Sequence, residues 1–497
     1  MNIDLYKAFL SNSFENGYNC VFDNYLDKTR YKSYLYSNLK FFDYGYDMEN
    51  NKPHNELKKE DIPDNIQYIS FNFSYQYQIK AHILPPEICQ IRISNDVQLN
   101  NDSLNGLENL KFLILDDQFN KPLEVGIIPN TVITFELNTF RYDYPIRAGV
   151  IPNSVLYLTL VGGFDQPLEY GTIPYGVIYL EIGGKFNKPI KPGMIPNTVK
   201  IIRLGDNFNC SLEIGSIPYG VEEIYFGSSF NQVLYPGIIP CSVKIIIFGK
   251  KFNSPLLPYA IPIGVEEVHF GNSFNQPLEE NTFPESVVII CFGFYFNKSL
   301  HTLNNKRVLP NSLLYLSLGC CFNQKLEIGD LNDGLKCLEL GYSYLHQIMP
   351  NTIPKTVLYL RIGLLYRHII DDTMLPPNLI ELCIEKRYMR SIETTKNFLI
   401  VRYEDAYVQH DDENNSDNYY YTNQNVYNMG KSNDFQISAN YLKSIFNSHI
   451  VKITEEKLIG NIIFKELTEK VFNPKRLVKI CKKYDIEFTK YIETMKN

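Results

Sequence analysis

Cysteine, histidine and acidic side chains are the groups in this chain that could bind a metal or act as nucleophiles. The ten cysteines form no C-x-x-C pair, and the eight histidines do not cluster with them. Zinc sites need such spacing. The string His410-Asp411-Asp412 lies in a polar acidic segment, where we expect a loop rather than a metal site. We therefore predict no metal, no cofactor, and free thiols in a reducing compartment.

The sequence also lacks the signatures of common enzyme classes. It contains no G-x-S-x-G, no H-E-x-x-H, no kinase signature and no glycine-rich phosphate loop. Glycines recur at a fixed spacing, which indicates turns rather than ligand contacts. The segments outside the regular part are short for a catalytic domain. We predict that the protein is not an enzyme.

A period of 22 residues organises most of the chain. It is visible in a row of prolines: Pro152, Pro174, Pro196, Pro218, Pro240, Pro262 and Pro284. A row of phenylalanines has the same spacing: Phe164, Phe186, Phe208, Phe230, Phe252, Phe274 and Phe296. Two independent landmarks with one period in the twenties predict a solenoid, in which each repeat is one unit stacked on the next.

The repeats define the expected domain boundaries. We count fifteen units over residues 61–385, with about four residues inserted around His301–Lys306. Residues 1–60 are predicted to form a helical or irregular N-terminal cap. Residues 386–437 are expected to hold a last strand near Phe398 and an acidic loop, and residues 438–497 an amphipathic helical segment.

Each unit carries one short strand. In Val177–Gly183, Leu180 and Ile182 alternate with Tyr179 and Glu181, which is typical of a strand with one buried face. The following glycine permits a turn, and Gly-x-Ile-Pro before the strand forms a second corner. The repeat therefore predicts a mainly β solenoid with parallel strands from about 22-residue repeats.

Two residue types at fixed register should stabilise the stack. The phenylalanines are predicted to form an aromatic spine inside the solenoid. Asparagines that follow them are predicted to form an internal ladder whose amides satisfy backbone groups at each bend. These are Asn187, Asn209, Asn231, Asn253, Asn275, Asn297 and Asn323.

The repeat resembles the FNIP repeat, a family of social amoebae and of the giant DNA viruses that infect amoebae. The resemblance rests on Phe186–Ile190 followed by Gly193–Val199, and on close copies at Phe274–Leu278 and Phe119–Leu123. The resemblance implies a leucine-rich-repeat-like fold, an interaction function and no catalytic residues. Some members carry an N-terminal F-box, but residues 1–53 have no proline before Pro53, unlike that motif.

The side chains that alternate outward along the strands are the candidate binding face. Tyrosine is frequent there, and Ile245, Ile247 and Ile289 occupy the exposed register, a composition typical of interfaces. Tyrosine also simply suits strands, so a solvated sheet is the alternative. The candidate partner-binding residues are Tyr157, Tyr179, Glu181, Arg203, Glu223, Tyr225, Ile247, Glu267, His269, Tyr315, Tyr359 and Arg361.

Charge and the chain ends bear on partners and location. The net charge is −7 with scattered basic residues, so we expect no nucleic-acid partner. With no signal peptide at the N-terminus and no apolar span, we expect no membrane partner and a cytoplasmic location, the host cytoplasm if the chain is viral. We predict a protein-interaction scaffold. Alternatives are a substrate-recognition subunit of a ubiquitin ligase, whose degenerate F-box would bind the ligase adaptor, and a structural or virion protein.

Overall fold

The computed structural model describes residues 56–385, apart from 63–65, 72–74, 76, 95, 303, 305 and 364. It also describes residues 41–44, 46–47, 52–53, 392–393, 395 and 400–404. All of these belong to one compact unit, formed by Asp27–Thr395 and Leu399–Tyr407. The predicted C-terminal helices, the acidic loop and most of the predicted N-terminal cap, including any F-box, lie outside the described residues.

Short strands make up nearly all of the regular structure in the described residues. The strands are β1 Phe41–Tyr44, β2 Tyr46–Asp47, β3 Lys52–Pro53, β4 Tyr68–Phe71, β5 Gln90–Ile93, β6 Phe112–Asp117, β7 Thr134–Tyr142, β8 Tyr157–Phe164, β9 Tyr179–Ile182, β10 Ile201–Leu204, β11 Glu223–Tyr225, β12 Ile245–Ile247, β13 Glu267–His269, β14 Ile289–Cys291, β15 Tyr315–Ser317, β16 Cys337–Glu339, β17 Tyr359–Ile362, β18 Ile370–Asp371, β19 Glu381–Glu385, β20 Ile392–Glu393 and β21 Ile400–Glu404. One α-helical turn, α1, spans Asn101–Leu104, and 3-10 turns span Lys59–Asp61 and Ala81–Ile83.

Seventeen of these strands form one parallel sheet. Its strands are β1, β4 to β17, β19 and β21, and each pairs with the next along the chain. The register advances by one repeat per strand, as in Leu180 to Ile202 to Ile224. Fifteen strands of this sheet fall between Tyr68 and Glu385, and they confirm the predicted solenoid of parallel strands. Strands β2 and β3, and β18 and β20, form two small separate pairs.

The sheet extends beyond the predicted repeat array at both ends. Strand β21, in the segment where a last strand was predicted, pairs in parallel with β19. At the other end, within the segment predicted to be a helical or irregular cap, β1 is instead a strand that pairs in parallel with β4. The alternation of Phe42 and Tyr44 with Phe41 and Asp43 also suits a strand, and the open edge of β4 supplies its backbone partners.

One row of rings fills the middle of the solenoid. Consecutive rings stack with centroids 5.9 to 6.5 Å apart and nearly parallel planes. The members, all completely buried, are Phe164, Phe186, Phe208, Phe230, Phe252, Phe274, Phe296, Phe322, Tyr344 and Tyr366. The predicted aromatic spine is therefore confirmed.

A second, shorter row of rings shows that the coils diverge. Phe226, Phe248, Phe270 and Phe292 directly follow their strands, and their rings are 5.3 to 5.4 Å apart. Neighbouring strands lie about 4.8 Å apart, whereas the spine rings are about 6 Å apart. The spacing between coils thus grows from the strands toward the spine. The outward-facing side of the sheet lies on the inside of a curve.

The predicted asparagine ladder is present, but it lies at the surface. Each side-chain oxygen accepts a hydrogen bond from the backbone N–H of the asparagine one coil later, as between Asn187 and Asn209 at 2.9 Å. The pattern repeats through Asn323, whose oxygen accepts from the N–H of Leu345. The amides do satisfy bend groups, but they are half-buried or exposed rather than internal.

Glycines serve both corners, for different reasons. After the strand, a Cβ on Gly227 would lie 1.9 Å from the carbonyl oxygen of Gly205, so only glycine allows the coils to approach so closely. At the Gly-x-Ile-Pro corner, Gly193 has a φ of +83°. Tyr259 occupies the same corner position with a φ of +65°, a conformation that costs a non-glycine residue energy.

Candidate binding surfaces

We call the outward-facing side of the strands the strand face. Its side chains are less accessible to solvent than the alternation of inward and outward residues along each strand predicts. Ile245, Ile247 and Ile289 are buried, so the prediction that they occupy exposed positions was wrong. The divergence of the coils explains this, because side chains on the inner side of a curved sheet crowd against those of the strands before and after. Of the candidate residues, Tyr179, Glu267, His269 and Tyr315 are also buried. Those that keep partial exposure are Tyr157, Glu181, Arg203, Glu223, Tyr225, Tyr359 and Arg361.

Several candidate residues contact each other on this face. The Tyr179 hydroxyl donates to a carboxylate oxygen of Glu181 at 2.7 Å, and the Tyr225 hydroxyl donates to Glu223 at 2.8 Å. The guanidinium of Arg203 lies 4.0 Å from the centre of the Tyr225 ring, a cation–π contact. These side chains therefore already have partners within the face.

The polar contacts continue into the buried part of the strand face. A ring nitrogen of His269 lies 3.3 Å from Glu267, and the Tyr315 hydroxyl donates to Glu339 at 2.7 Å. Burial raises the pKa of Tyr315 well above its usual value, so the phenol stays neutral at physiological pH. The pair His269 and Glu267 lies within β13, whereas Tyr315 on β15 reaches Glu339 on β16, a residue outside the candidate set.

A buried charged group near the start of the face was missed by the sequence analysis. Arg92 forms an ion pair with Asp116 at 2.6 Å, and the Ser94 hydroxyl donates to the same carboxylate. Burial, and then the negative charges of Asp116 and Glu181, raise the pKa of Glu136 to about 7. The sequence did contain a signal for this ion pair: Arg92 and Asp116, of opposite charge, lie in the strands of adjacent repeats.

The described cysteines do not form a metal-binding group. The eight described cysteines are all free thiols, and burial raises the pKa of Cys320 to about 11. A protonated thiol is a poor nucleophile and a poor metal ligand. In the described part of the chain, no group of three or more histidine, cysteine, aspartate or glutamate residues could hold a metal ion. No helix there has the length and apolar character needed to cross a bilayer.

A concave surface lies elsewhere in the described residues, along the Gly-x-Ile-Pro corners. A groove of about 990 Å³ runs from Asn105 to Pro218 over about five coils. Its floor consists mainly of corner glycines, isoleucines and prolines. One rim is formed by the residues that directly follow the corner prolines: Asn130, Asn153, Tyr175 and Asn197. We call this feature the corner groove.

Large apolar side chains stand exposed beside the corner groove. Tyr170 and Ile214 directly precede corner glycines and are 63% and 70% exposed. Tyr175, which lines the groove, is 64% exposed, and Tyr219, which follows the lining residue Pro218, is 71% exposed. The most exposed tyrosines therefore lie at these corners, whereas those of the strand face are buried or half-buried.

The fold and the repeat define the class of protein. A solved structure of the giant-virus protein CroV588, described as a novel circular LRR protein, matches with a TM-score of 0.60 and 26% identity. The match covers 68% of this chain and 50% of that chain, so this chain spans half of CroV588. The chain is a parallel β-solenoid of the leucine-rich-repeat-like class, a class typical of protein-interaction scaffolds.

Comparison with repeat families gives the particular family. The FNIP Repeat family matches residues 53–96, 108–140, 164–205, 186–229, 230–273, 274–321 and 322–364. These matches cover more than half of the chain, and the chain belongs to the FNIP repeat family. No curated protein sequence matches it. Two structures of the Drosophila Toll–Spätzle complex match at 12% and 13% identity with TM-scores of 0.44 and 0.43. They cover 69% and 72% of this chain, and 57% and 48% of the matched chains.

Proposed function

We propose that this protein is a non-enzymatic scaffold that binds other proteins through the corner groove and the exposed side chains beside it. The supporting observation is the row of large apolar side chains that stand in solvent along one side of the coils. Tyr170, Tyr175, Ile214 and Tyr219 are each more than 60% exposed. Contiguous exposed apolar surface with aromatic residues is typical of protein interfaces.

The corner surface supports partner binding better than the strand face does. On the strand face, Glu267, His269 and Tyr315 are buried, and the tyrosines that remain partly exposed include Tyr225, already engaged with Glu223 and Arg203. A partner there would have to displace these contacts. At the corners, a partner would instead cover apolar surface that faces water, which is favourable without any rearrangement.

The location is tested by comparing two double variants with the wild-type chain. Tyr170→Ser with Ile214→Ser removes exposed apolar side chains at the corners. Tyr157→Ala with Tyr225→Ala is the matched change on the strand face. All three proteins are immobilised, incubated with a eukaryotic cell lysate and analysed by cross-linking mass spectrometry.

The proposal predicts loss of cross-linked partners in the corner variant and their retention in the strand-face variant. The opposite result would move binding to the strand face, where the sequence analysis placed it. If neither variant changes the bound proteins, or if the wild type cross-links only to itself, the proposed binding surface is wrong.

A further inference from the structure

The corner groove has an unusual chemical character for this chain. Its lining residues are glycine, proline, asparagine and tyrosine together with aliphatic side chains, and none of them is charged. Charged residues make up 21% of the sequence, so the groove stands out from the rest of the molecule. A ligand complementary to an uncharged groove is itself uncharged. The groove therefore disfavours phosphate-bearing ligands and strongly charged peptides.

From Asn153 onward, the residues that follow the corner prolines alternate between amides and aromatic rings. Successive coils present Asn153, Tyr175, Asn197 and Tyr219, all of them exposed; Asn130 comes before them, and Tyr219 adjoins the groove next to its last lining residue, Pro218. The backbones of neighbouring coils are in close contact here, since a Cβ on Gly220 would lie 2.6 Å from the carbonyl oxygen of Asn197. The spacing between coils therefore stays close to that of the strands. Like side chains recur every second coil, or about every 9.6 Å.

This repeat matches one peptide conformation. A polyproline II helix turns once every three residues and rises about 9.3 Å per turn. An extended strand repeats its side chains every two residues, at about 6.7 Å, and would fall out of phase within two coils. An α-helix satisfies its own backbone carbonyls, so the asparagine amides would find no acceptors along it. A polyproline II segment leaves all its carbonyls free, and its prolines pack well on tyrosine rings.

We infer that the corner groove binds a neutral, proline-rich segment of a partner protein in the polyproline II conformation. Prolines of the segment pack against Tyr175 and Tyr219, one turn apart, while Asn153 and Asn197 donate hydrogen bonds to its carbonyls. This inference rests on the proposed function, because it names the chemistry of the partner at the same surface.

The test uses a defined peptide and the full chain. A fluorescent peptide of the sequence (Pro-Pro-Ala) repeated three times spans about 28 Å, enough to cover the roughly 24 Å occupied by the five coils of the groove. A (Gly-Ser-Ala) peptide of equal length is the control. Binding is measured by fluorescence anisotropy for wild type and for Tyr175→Ala with Tyr219→Ala. Tyr175→Phe keeps the ring, and Tyr235→Ala removes an exposed tyrosine that does not follow a corner proline.

We expect the proline peptide to bind and the glycine–serine peptide not to bind. The double alanine variant should weaken binding about tenfold or more, as expected for loss of aromatic anchors, while Tyr175→Phe and Tyr235→Ala should bind as wild type does. Absence of proline-peptide binding, or equal binding by the double variant, would overturn the inference. The proposed function would survive that result if the Tyr170→Ser with Ile214→Ser variant still lost its cross-linked partners.

Discussion

Replacing one ring of the aromatic spine tests how the coils hold each other. Phe230 is completely buried and stacks on Phe208 at 6.1 Å, on Phe252 at 6.2 Å and on Phe226 at 4.3 Å. Removing a buried phenylalanine side chain costs about 3–5 kcal/mol, because transfer free energy is lost and a cavity remains. Lost ring stacking adds to this cost, so we expect Phe230→Ala to lower the free energy of unfolding by about 4 kcal/mol.

The assay combines urea unfolding with hydrogen exchange. In a repeat protein each coil contacts only its neighbours, so amide protection should fall most around β10 to β12 and least near β4. Phe140→Ala is the control, since that ring is 72% exposed and its loss should cost under about 0.5 kcal/mol. A cost for Phe230→Ala of under about 1 kcal/mol, or an equal loss of protection in every strand, would refute the reasoning.

Three further predictions concern turns and a buried carboxyl. Gly227→Ala should lower the free energy of unfolding by about 2–4 kcal/mol in urea titrations, because its Cβ would meet the Gly205 backbone at 1.9 Å. Tyr259→Gly should raise the melting temperature slightly, by relieving about 1 kcal/mol of strain at a φ of +65°. Glu136 has a pKa raised to about 7 in the folded chain, so stability should fall as the pH rises from about 4.5 to 7 and level off above that. Glu136→Gln should remove this dependence and stabilise the chain at pH 8 by about 1–3 kcal/mol, measured by urea titrations at several pH values.

The Gly227 and Glu136 predictions have matched controls. Gly183→Ala should cost under about 1 kcal/mol, since its Cβ first meets the movable Val161 side chain at 3.1 Å. Glu124 is exposed, and Glu124→Gln is the same substitution at the surface, against which the Glu136→Gln result is compared. Equal costs for both glycine variants would show that the coils can separate. A pH profile unaltered by Glu136→Gln, or destabilisation by Tyr259→Gly, would contradict the stated causes.

The buried half of the fold could be predicted from the sequence because burial is periodic. Leu180 and Phe186 recur with one spacing, and stacking identical units places them in one core. The asparagine ladder was predictable for the same reason, although its place at the surface was not: the spacing of Asn187 and Asn209 fixes their register, not their depth. The ion pair between Arg92 and Asp116 was missed because it depends on two particular coils, not on the shared pattern.

The accessible surface could not be predicted in the same way, because the divergence of the coils decides it. Alternation shows only which side chains point away from the core. The rings of Phe226 and Phe248 are 5.4 Å apart, and those of Phe230 and Phe252 are 6.2 Å apart. The distance between neighbouring coils therefore increases away from the strands. That divergence crowds the inner side of the sheet and buries Ile247. Large side chains at the corners escape this crowding, which explains why solvent-exposed tyrosines such as Tyr175 lie there and why a partner is expected there.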